Sequence, residues 1–381
     1  MTSELKIHAL SSWLISGAPP QDDYNETVAE LARRLVDAGV EADVIALYQR
    51  PKNPLVAGKR FLWSREDGLK VREFTHEHID GPYFTDGVVE RTQISARPIR
   101  YRVGEMPEFD THPGSRPLID GGYSEYAVIP LIAVNEVNAV LAVGVKRKDG
   151  LPDEQFEICR RIAAPLARVV ESRVRYEGNA SLLATFLGRD AGARVNAGMV
   201  RRGDAEMIRS VILFTDIEGY TEQSNCLPIA ETVNMLNRYF EALEQPILKN
   251  GGDVLKLMGD GMLAIFPTPD DLTAEEGAAL SALSAVEDAR KLLAGSGFKF
   301  RAAYHVGEIH YGNIGGLTRL DFTAIGPAVN LTARLLDAAS RKGVEAVCSA
   351  AFAKLVQSRV ESLGEFEFKG FANPQQAYAV R

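Results

Sequence analysis

The hydrophobic pattern is clearest in the C-terminal half of the chain, where strand and helix signals alternate. An apolar strand over residues 211–216 precedes a helix over residues 228–250, which keeps apolar residues on one face. Two apolar runs within residues 254–266 flank Gly259-Asp260-Gly261, and Asp-Gly is typical of a hairpin turn. A helix over residues 278–293 and a strand over residues 298–306 complete a β-α-β-β-α-β order. The pattern predicts an α+β, ferredoxin-like βαββαβ domain, with one antiparallel sheet and helices on one face.

The N-terminal half also alternates helix and strand signals, but less regularly. Residues 82–117 are rich in Pro, Gly, His and Arg, and are predicted to form loops and short elements on one face of a sheet. The other predicted elements are helices over residues 24–38 and 153–170, a strand over 41–48, a strand pair over 60–63 and 69–74, and strands over 123–130 and 139–146.

This order ends in V-I-P-L-I, A-V-L-A-V-G-V-K-R and D-G-L-P-D-E-Q-F-E, and it resembles the GAF family of small-molecule sensor domains. The resemblance implies an N-terminal GAF-like α/β sensor domain over residues 1–178, with an unknown small-molecule effector. The N-K-x-x-x-F-x-x-x-D-E signature of cyclic-nucleotide-binding GAF domains does not occur, so a cyclic nucleotide is not implied. His76, His78 and His112 leave a metal or haem as an alternative, since the first two share a face if that segment is extended.

Residues 179–209 connect the halves, and their apolar positions predict a helical linker. The heptads are too few to indicate a coiled coil, so a plain linker remains the alternative.

Net charge, the length of apolar runs and cysteine spacing argue against several classes of function and location. The formal net charge of -8 argues against general nucleic-acid binding, which requires a basic face. No apolar run approaches the roughly 18 residues that span a bilayer, so no membrane association is expected. The three cysteines are far apart and without metal-ligand spacing, which is typical of free thiols in a reducing compartment. We therefore expect a cytoplasmic protein.

Two aspartates end neighbouring predicted strands, Asp216 after the first and Asp260 at the hairpin tip. Carboxylates placed together there can share one or two divalent cations, and Mg²⁺ prefers carboxylates combined with substrate phosphates. Residues 217–221 follow Asp216, and their backbone N–H groups could receive a polyphosphate. These features would fit many nucleotidyl-transfer enzymes, and the spacing alone does not indicate which.

Four motifs then carry a resemblance that covers residues 210–381: F-T-D-I-E-G-Y-T, K-L-M-G-D-G, H-V-G-E-I-H-Y-G-N-I-G and T-A-I-G-P-A-V-N-L-T-A-R. Together and in this order they resemble the class III nucleotide cyclase catalytic domain. The resemblance implies conversion of ATP to 3′,5′-cyclic AMP and pyrophosphate, with two Mg²⁺ or Mn²⁺ ions per active site. In the family, Lys with Asp or Thr goes with adenine, and Glu with Cys goes with guanine.

The same resemblance implies residue roles. The predicted metal-binding residues are Asp216, Ile217 and Asp260. Lys256 and Thr323 match the purine-reading positions, and Thr323 points to the Thr-bearing adenylate cyclase subgroup. The catalytic pair is Asn330, which orients the ribose, and Arg334, which stabilises charge on the α-phosphate. The remaining predicted substrate-binding residues are Ile217, Glu218, Gly219, Tyr220, Thr221 and Lys369.

Such sites lie between two chains in the family, so the resemblance implies a symmetric homodimer that binds ATP. Three alternatives remain: a guanylate cyclase, a catalytically weak nucleotide-binding signalling module, and a diguanylate-type cyclase. The last is disfavoured because Gly251-Gly252-Asp253 precedes the hairpin tip instead of forming it.

Overall fold

The computed structural model describes residues 3–19, 23–134, 136–268 and 272–381. The chain divides into two compact units, Met1–Leu182 and Leu183–Arg381. Among the described residues, no helix combines the length and the apolar character that a membrane span requires.

The first unit contains an antiparallel six-stranded sheet with the strand order β3-β2-β1-β6-β5-β4. Its strands are β1 (Val44–Gln49), β2 (Gly58–Ser64), β3 (Gly68–Phe74), β4 (Ile99–Arg102), β5 (Glu125–Ala133) and β6 (Glu136–Val145). Its helices are α1 (Ser3–Ile15), α2 (Tyr24–Asp37), α3 (His76–Ile79), α4 (Val88–Ser95), α5 (Pro107–Asp110), α6 (Arg116–Asp120) and α7 (Asp153–Leu187). A 3₁₀ turn lies at Pro113–Ser115, and α7 continues past the last residue of the unit.

Strand alternation gives this sheet two differently covered faces. Ile45 and Leu47 of β1 join a core made with α1, α2 and α7. Val44 and Ala46 face the opposite way, into a smaller core with α4, β4 and α5. The predicted loop region over residues 82–117 therefore covers this second face as short helices.

Three features of this unit differ from the sequence-based expectations. The helix α1 and the edge strand β4 were not predicted, and β4 interrupts residues 82–117 by pairing with β5. His76 and His78 lie in the short helix α3 and not in an extended segment. The premise that the two histidines share one face of a strand is therefore wrong.

The second unit contains the larger sheet, with the order β13-β14-β12-β10-β7-β9-β8 and β11 paired with β10. Its strands are β7 (Ala205–Ile217), β8 (Asp253–Met258), β9 (Gly261–Thr268), β10 (Phe300–Gly315), β11 (Leu320–Ile325), β12 (Ala346–Ser349), β13 (Val360–Phe366) and β14 (Gln375–Val380). Its helices are α8 (Arg189–Asn196), α9 (Tyr220–Cys226), α10 (Ile229–Lys249), α11 (Leu272–Leu292), α12 (Pro327–Lys342) and α13 (Ala350–Ala353), with a 3₁₀ turn at Gln357–Arg359.

The predicted βαββαβ order is confirmed by the succession β7, α10, β8, β9, α11, β10. Val211 and Leu213 of β7 pack with α10 and α11 on one face. Ile212 and Phe214 pack with α12 on the other face, so the expectation of helices on one face is wrong for α12. The sheet is also not purely antiparallel, because β10 and β12 pair in parallel.

Asp253, the first residue of β8, is 7% exposed and caps the N-terminus of α8. Its carboxylate accepts hydrogen bonds from the backbone N–H groups of Arg189 at 3.3 Å and Asp190 at 2.9 Å. The helix α8 is thereby attached to the strand that leads into the hairpin, since free N–H groups at a helix start favour an anionic partner.

Candidate active site

The two predicted metal-binding aspartates meet at one end of the central strands. Asp216 is the penultimate residue of β7, and Asp260 lies in the two-residue turn between β8 and β9. Gly259 has a φ of 67°, which glycine adopts without strain. Gly261, the first residue of β9, lies close to β7. A residue with a Cβ atom at this position would place that atom only 3.1 Å from the Thr215 carbonyl oxygen. The close approach brings the Asp216 and Asp260 carboxyl groups within hydrogen-bonding reach.

Burial, followed by the hydrogen bond to Asp260 and repulsion from its charge, raises the pKa of Asp216 to about 7. Arg301 acts in the opposite direction, while Asp337 adds to the rise. Two carboxylates in contact disfavour each other's ionisation. A divalent cation between them would remove that penalty.

The donor set fits Mg²⁺ or Mn²⁺. Both ligands are hard carboxylate oxygens, and a site with two protein carboxylates leaves coordination positions for water and substrate phosphates. Within the described residues, no group of three or more His, Cys, Asp or Glu side chains could form a fuller cage. The Ile217 side chain is 2% exposed and packs in the core, so only its backbone can face a cation.

The segment after Asp216 turns directly into α9. Gly219 is the N-cap with a φ of 73°, and as a glycine it has no side chain to cap the first turn, which holds Tyr220 and Thr221. The Glu218 N–H donates to the Lys299 carbonyl oxygen at 2.9 Å, which makes it unavailable to a phosphate in this conformation. The N–H groups of the first helical turn are therefore the better phosphate donors.

Lys256 and Thr323 lie on neighbouring elements of the same unit. The Lys256 ammonium group contacts the Asp321 carboxylate on β11. Thr323 is two residues further along β11, on the same side of that strand as Asp321, while Phe322 between them packs in the core. The contact places the Lys256 head group on the side of β11 that carries the Thr323 hydroxyl.

Asn330 and Arg334 are exposed one turn apart on α12, on the same helix face as Asp337. Arg334 forms a 3.3 Å salt bridge with Asp337. In the described part of the chain, no hydrogen bond or salt bridge joins Asn330 or Arg334 to either metal-binding aspartate. Lys369 is exposed between β13 and β14, without a salt bridge among the described residues.

Sequence reasoning missed two charged residues that contact this site. Arg301 lies opposite Asp216 in the β7–β10 register and pairs with Glu218 at 2.5 Å. In the sequence, the feature that could have indicated Arg301 is a charged residue within the apolar run F-R-A-A-Y. Asp321 pairs with Lys256. The feature that could have indicated it is an acidic residue two positions before Thr323, on the same side of an alternating strand.

Comparison with known proteins bears on the second unit. The family model described as "Adenylate and Guanylate cyclase catalytic domain" matches residues 205–381. An uncharacterised protein of Mycobacterium tuberculosis is 33% identical over 174 residues, which is 45% of this chain. The chain spans only 30% of the length of that curated relative.

Solved structures similar to this chain include the adenylyl cyclase CyaB from P. aeruginosa, 26% identical with a TM-score of 0.40. The match covers 46% of this chain and 95% of CyaB. The guanylyl cyclase Cya2 is 27% identical with a TM-score of 0.38, over 46% of this chain and 93% of Cya2.

Proposed function

Residues 205–381 are an adenylate and guanylate cyclase-type catalytic domain, and from that premise we propose that the chain is an adenylate cyclase. It converts ATP to 3′,5′-cyclic AMP and pyrophosphate with two Mg²⁺ or Mn²⁺ ions, in sites formed between the two chains of a homodimer. In this proposal residues 1–178 are a GAF-like sensor domain, residues 179–204 a largely helical linker and residues 205–381 the catalytic domain, so that the whole of β7 belongs to the catalytic domain. The domain identities, the dimer and a cytoplasmic location are part of the proposal.

The choice of ATP rests on one observation, the placement of Lys256 beside the Thr323 side of β11 through its contact with Asp321. An ammonium group can donate to adenine N1, and a hydroxyl can accept from the exocyclic amine. Guanine presents N1–H and O6 at the same edge, so Lys256 would face a donor where it needs an acceptor. The same residues therefore favour adenine over guanine.

Catalysis in this proposal is mainly positioning and charge neutralisation. Asp216 and Asp260 hold the cations, which when bound would activate the 3′-hydroxyl and neutralise the phosphates. The N–H groups at the start of α9 receive the polyphosphate, and Lys369 adds a positive charge. Arg334 stabilises the charge that develops on the α-phosphate, since guanidinium suits phosphate geometry.

The dimer is inferred from the resemblance to the cyclase family, and the exposure of Asn330 and Arg334 is consistent with it. Both are exposed on α12 and make no described polar contact with the aspartate pair. A second copy of the chain could present these residues to the aspartates of the first. A twofold-symmetric pair would then contain two equivalent sites.

The deciding experiment incubates the full chain with ATP or GTP and with Mg²⁺ or Mn²⁺, and identifies the product by mass spectrometry. Cyclic AMP from ATP is expected, with Asp260→Ala as the inactive control. Cyclic GMP as the preferred product would favour the guanylate cyclase alternative. Absence of any cyclic nucleotide with either metal would refute the cyclase proposal.

A further inference from the structure

The first unit contains a cavity of about 390 Å³ on the sheet face covered by residues 76–117. Its floor is formed by β1, β2 and the end of β3, and its cover includes α3, α4 and the 3₁₀ turn at Pro113–Ser115. The volume is in the range of pockets that bind small organic ligands.

Three side chains form a row across the cavity floor. In the strand registers Tyr48 lies opposite Arg60, and Arg60 lies opposite Arg72, so all three project from the same face. Phe61 projects to the other face, where it is 1% exposed in the main core. Arg60 thus occupies a position where strand alternation would otherwise place a core residue.

Two of the side chains that line this cavity have buried polar atoms without a hydrogen-bond partner within the described protein. These atoms are Nε of Arg60 and both amide atoms, Nε2 and Oε1, of Gln93. A buried donor or acceptor without a partner is costly, and the great majority of such groups in folded proteins are paired. Three such atoms on two side chains that line one cavity favour a polar ligand that would supply the missing partners.

Charge defines the ligand further. Of the residues that line the cavity, four are Lys or Arg, and none is Asp or Glu. Lys59 is paired with Glu73, at 3.3 Å, but Arg50, Arg60 and Arg72 make no salt bridge among the described residues. These guanidinium groups lie instead against aromatic rings, with Arg72 5.0 Å from the Phe74 ring centre and Arg50 5.7 Å from that of Phe84.

One histidine in the cover of the cavity, His112, has a structural role. His112 Nδ1 accepts a hydrogen bond from the Gly114 N–H at 3.0 Å, and Nε2 lies 2.8 Å from the Thr85 carbonyl oxygen. Both ring nitrogens are engaged within the cover, so His112 is not available as a metal ligand in this conformation.

We propose that this cavity binds an organic anion with a planar apolar body, such as an aromatic carboxylate. The anionic group pairs with Arg60, the ring lies among Tyr48, Phe74 and Phe84, and a polar substituent is recognised by the Gln93 amide. The assignment rests on the cavity itself and is independent of the proposed cyclase activity.

The test uses the full chain and three probes of the same shape: 2-naphthoate, 2-naphthamide and 2-naphthylmethylamine. Binding is measured by saturation-transfer NMR and calorimetry, without reference to catalysis. The anion is expected to bind at least about tenfold more tightly than the neutral amide, because a charge-assisted contact to a guanidinium group is stronger than a neutral one. The amine is expected not to bind. An anion that binds no better than the amide overturns the proposal, whatever the cyclase assay shows.

Arg60→Met is expected to abolish the preference for the anion and to leave the melting temperature of the ligand-free chain unchanged or higher. Arg65→Gln is the matched control, since Arg65 is exposed in the β2–β3 turn outside the cavity. This variant should prefer the anion over the amide to the same extent as the wild type. Gln93→Leu should weaken binding of 6-hydroxy-2-naphthoate more than binding of 2-naphthoate. A melting temperature that falls in Arg60→Met would assign Arg60 to the fold and contradict the ligand role, as would an anion preference that survives the change.

Discussion

Replacing Asp216 by Asn is expected to stabilise the metal-free chain while abolishing its activity. Asp216 is held beside Asp260 in a partly buried position, and its pKa is raised to about 7. An asparagine amide carries no charge and can donate a hydrogen bond to Asp260. The substitution therefore removes both the cost of burying a charge and the repulsion between two carboxylates.

The size of the effect follows from the pKa of Asp216, which is raised from 3.8 to about 7. A pKa that is higher by about 3 corresponds to a free-energy cost of about 4 kcal/mol for the ionised carboxylate in the folded chain. Solvent screens the exposed part of the side chain, so about half of this, roughly 2 kcal/mol, is expected to remain. For a folding unit of about 200 residues, that corresponds to a melting temperature higher by about 4–8 °C.

The pH dependence has a definite sign. Because the folded-state pKa of Asp216 lies above its unfolded value, the wild type loses stability as the pH rises from about 4 to about 7. The advantage of Asp216→Asn should thus be complete above about pH 7 and absent below about pH 4. Thermal unfolding in EDTA at pH 8 and pH 4, followed by circular dichroism, measures it.

Two controls make the measurement specific. Glu244→Gln removes an exposed carboxylate on α10 that has no salt bridge among the described residues, and should change nothing. Asp260→Asn should also stabilise the metal-free chain. The double variant should gain less free energy of unfolding than the two single variants together, since one substitution already ends the repulsion between the carboxylates. A wild type that is as stable as Asp216→Asn in EDTA at pH 8 would refute the reasoning.

Further predictions concern the proposed shared site. Mixing inactive Asp260→Ala and Arg334→Ala chains is expected to restore about a quarter of wild-type activity, because half of the dimers are mixed and each has one intact site. A mixture that stays inactive, although native mass spectrometry detects mixed dimers, would contradict a site shared between two chains. Lys256→Glu combined with Thr323→Cys is expected to shift the kcat/KM ratio at least about tenfold from ATP towards GTP, and an unchanged ratio would refute the purine-reading roles. Asp321→Asn should raise KM for ATP while leaving kcat similar, and its effect on stability should stay below about 1 kcal/mol because the ion pair is half exposed. Steady-state kinetics and thermal unfolding test this variant, and an unchanged KM would show that Asp321 does not position Lys256.

The sequence predicted the order of elements in the second unit because its apolar positions repeat regularly and its turns carry specific residues. The hairpin tip at Asp260 is an example, since Asp-Gly between apolar runs has few other structures available. The side of the sheet on which α12 packs was not predictable in the same way. Both faces of the central strands are apolar, so the pattern does not say which face a given helix covers.

Contacts between distant charges were the other feature that the sequence did not reveal. The pairs Lys256–Asp321 and Glu218–Arg301 join residues that are 65 and 83 positions apart. Such pairs depend on strand register, which a single sequence leaves open. In the first unit β4 was missed because it is a four-residue edge strand, too short for alternation to distinguish from a loop.

The capping of α8 by Asp253 affects how a catalytic fragment should be cut. A fragment that begins at residue 205, where the family match begins, would lack the two N–H donors that pair with this buried carboxylate. It would also uncover apolar surface that Leu187, Ala191 and Val195 cover in the second unit. Losing the donors alone costs roughly 1–3 kcal/mol. A fragment that begins at Leu183 keeps both features, so it should express in soluble form and resist proteolysis where the shorter one does not.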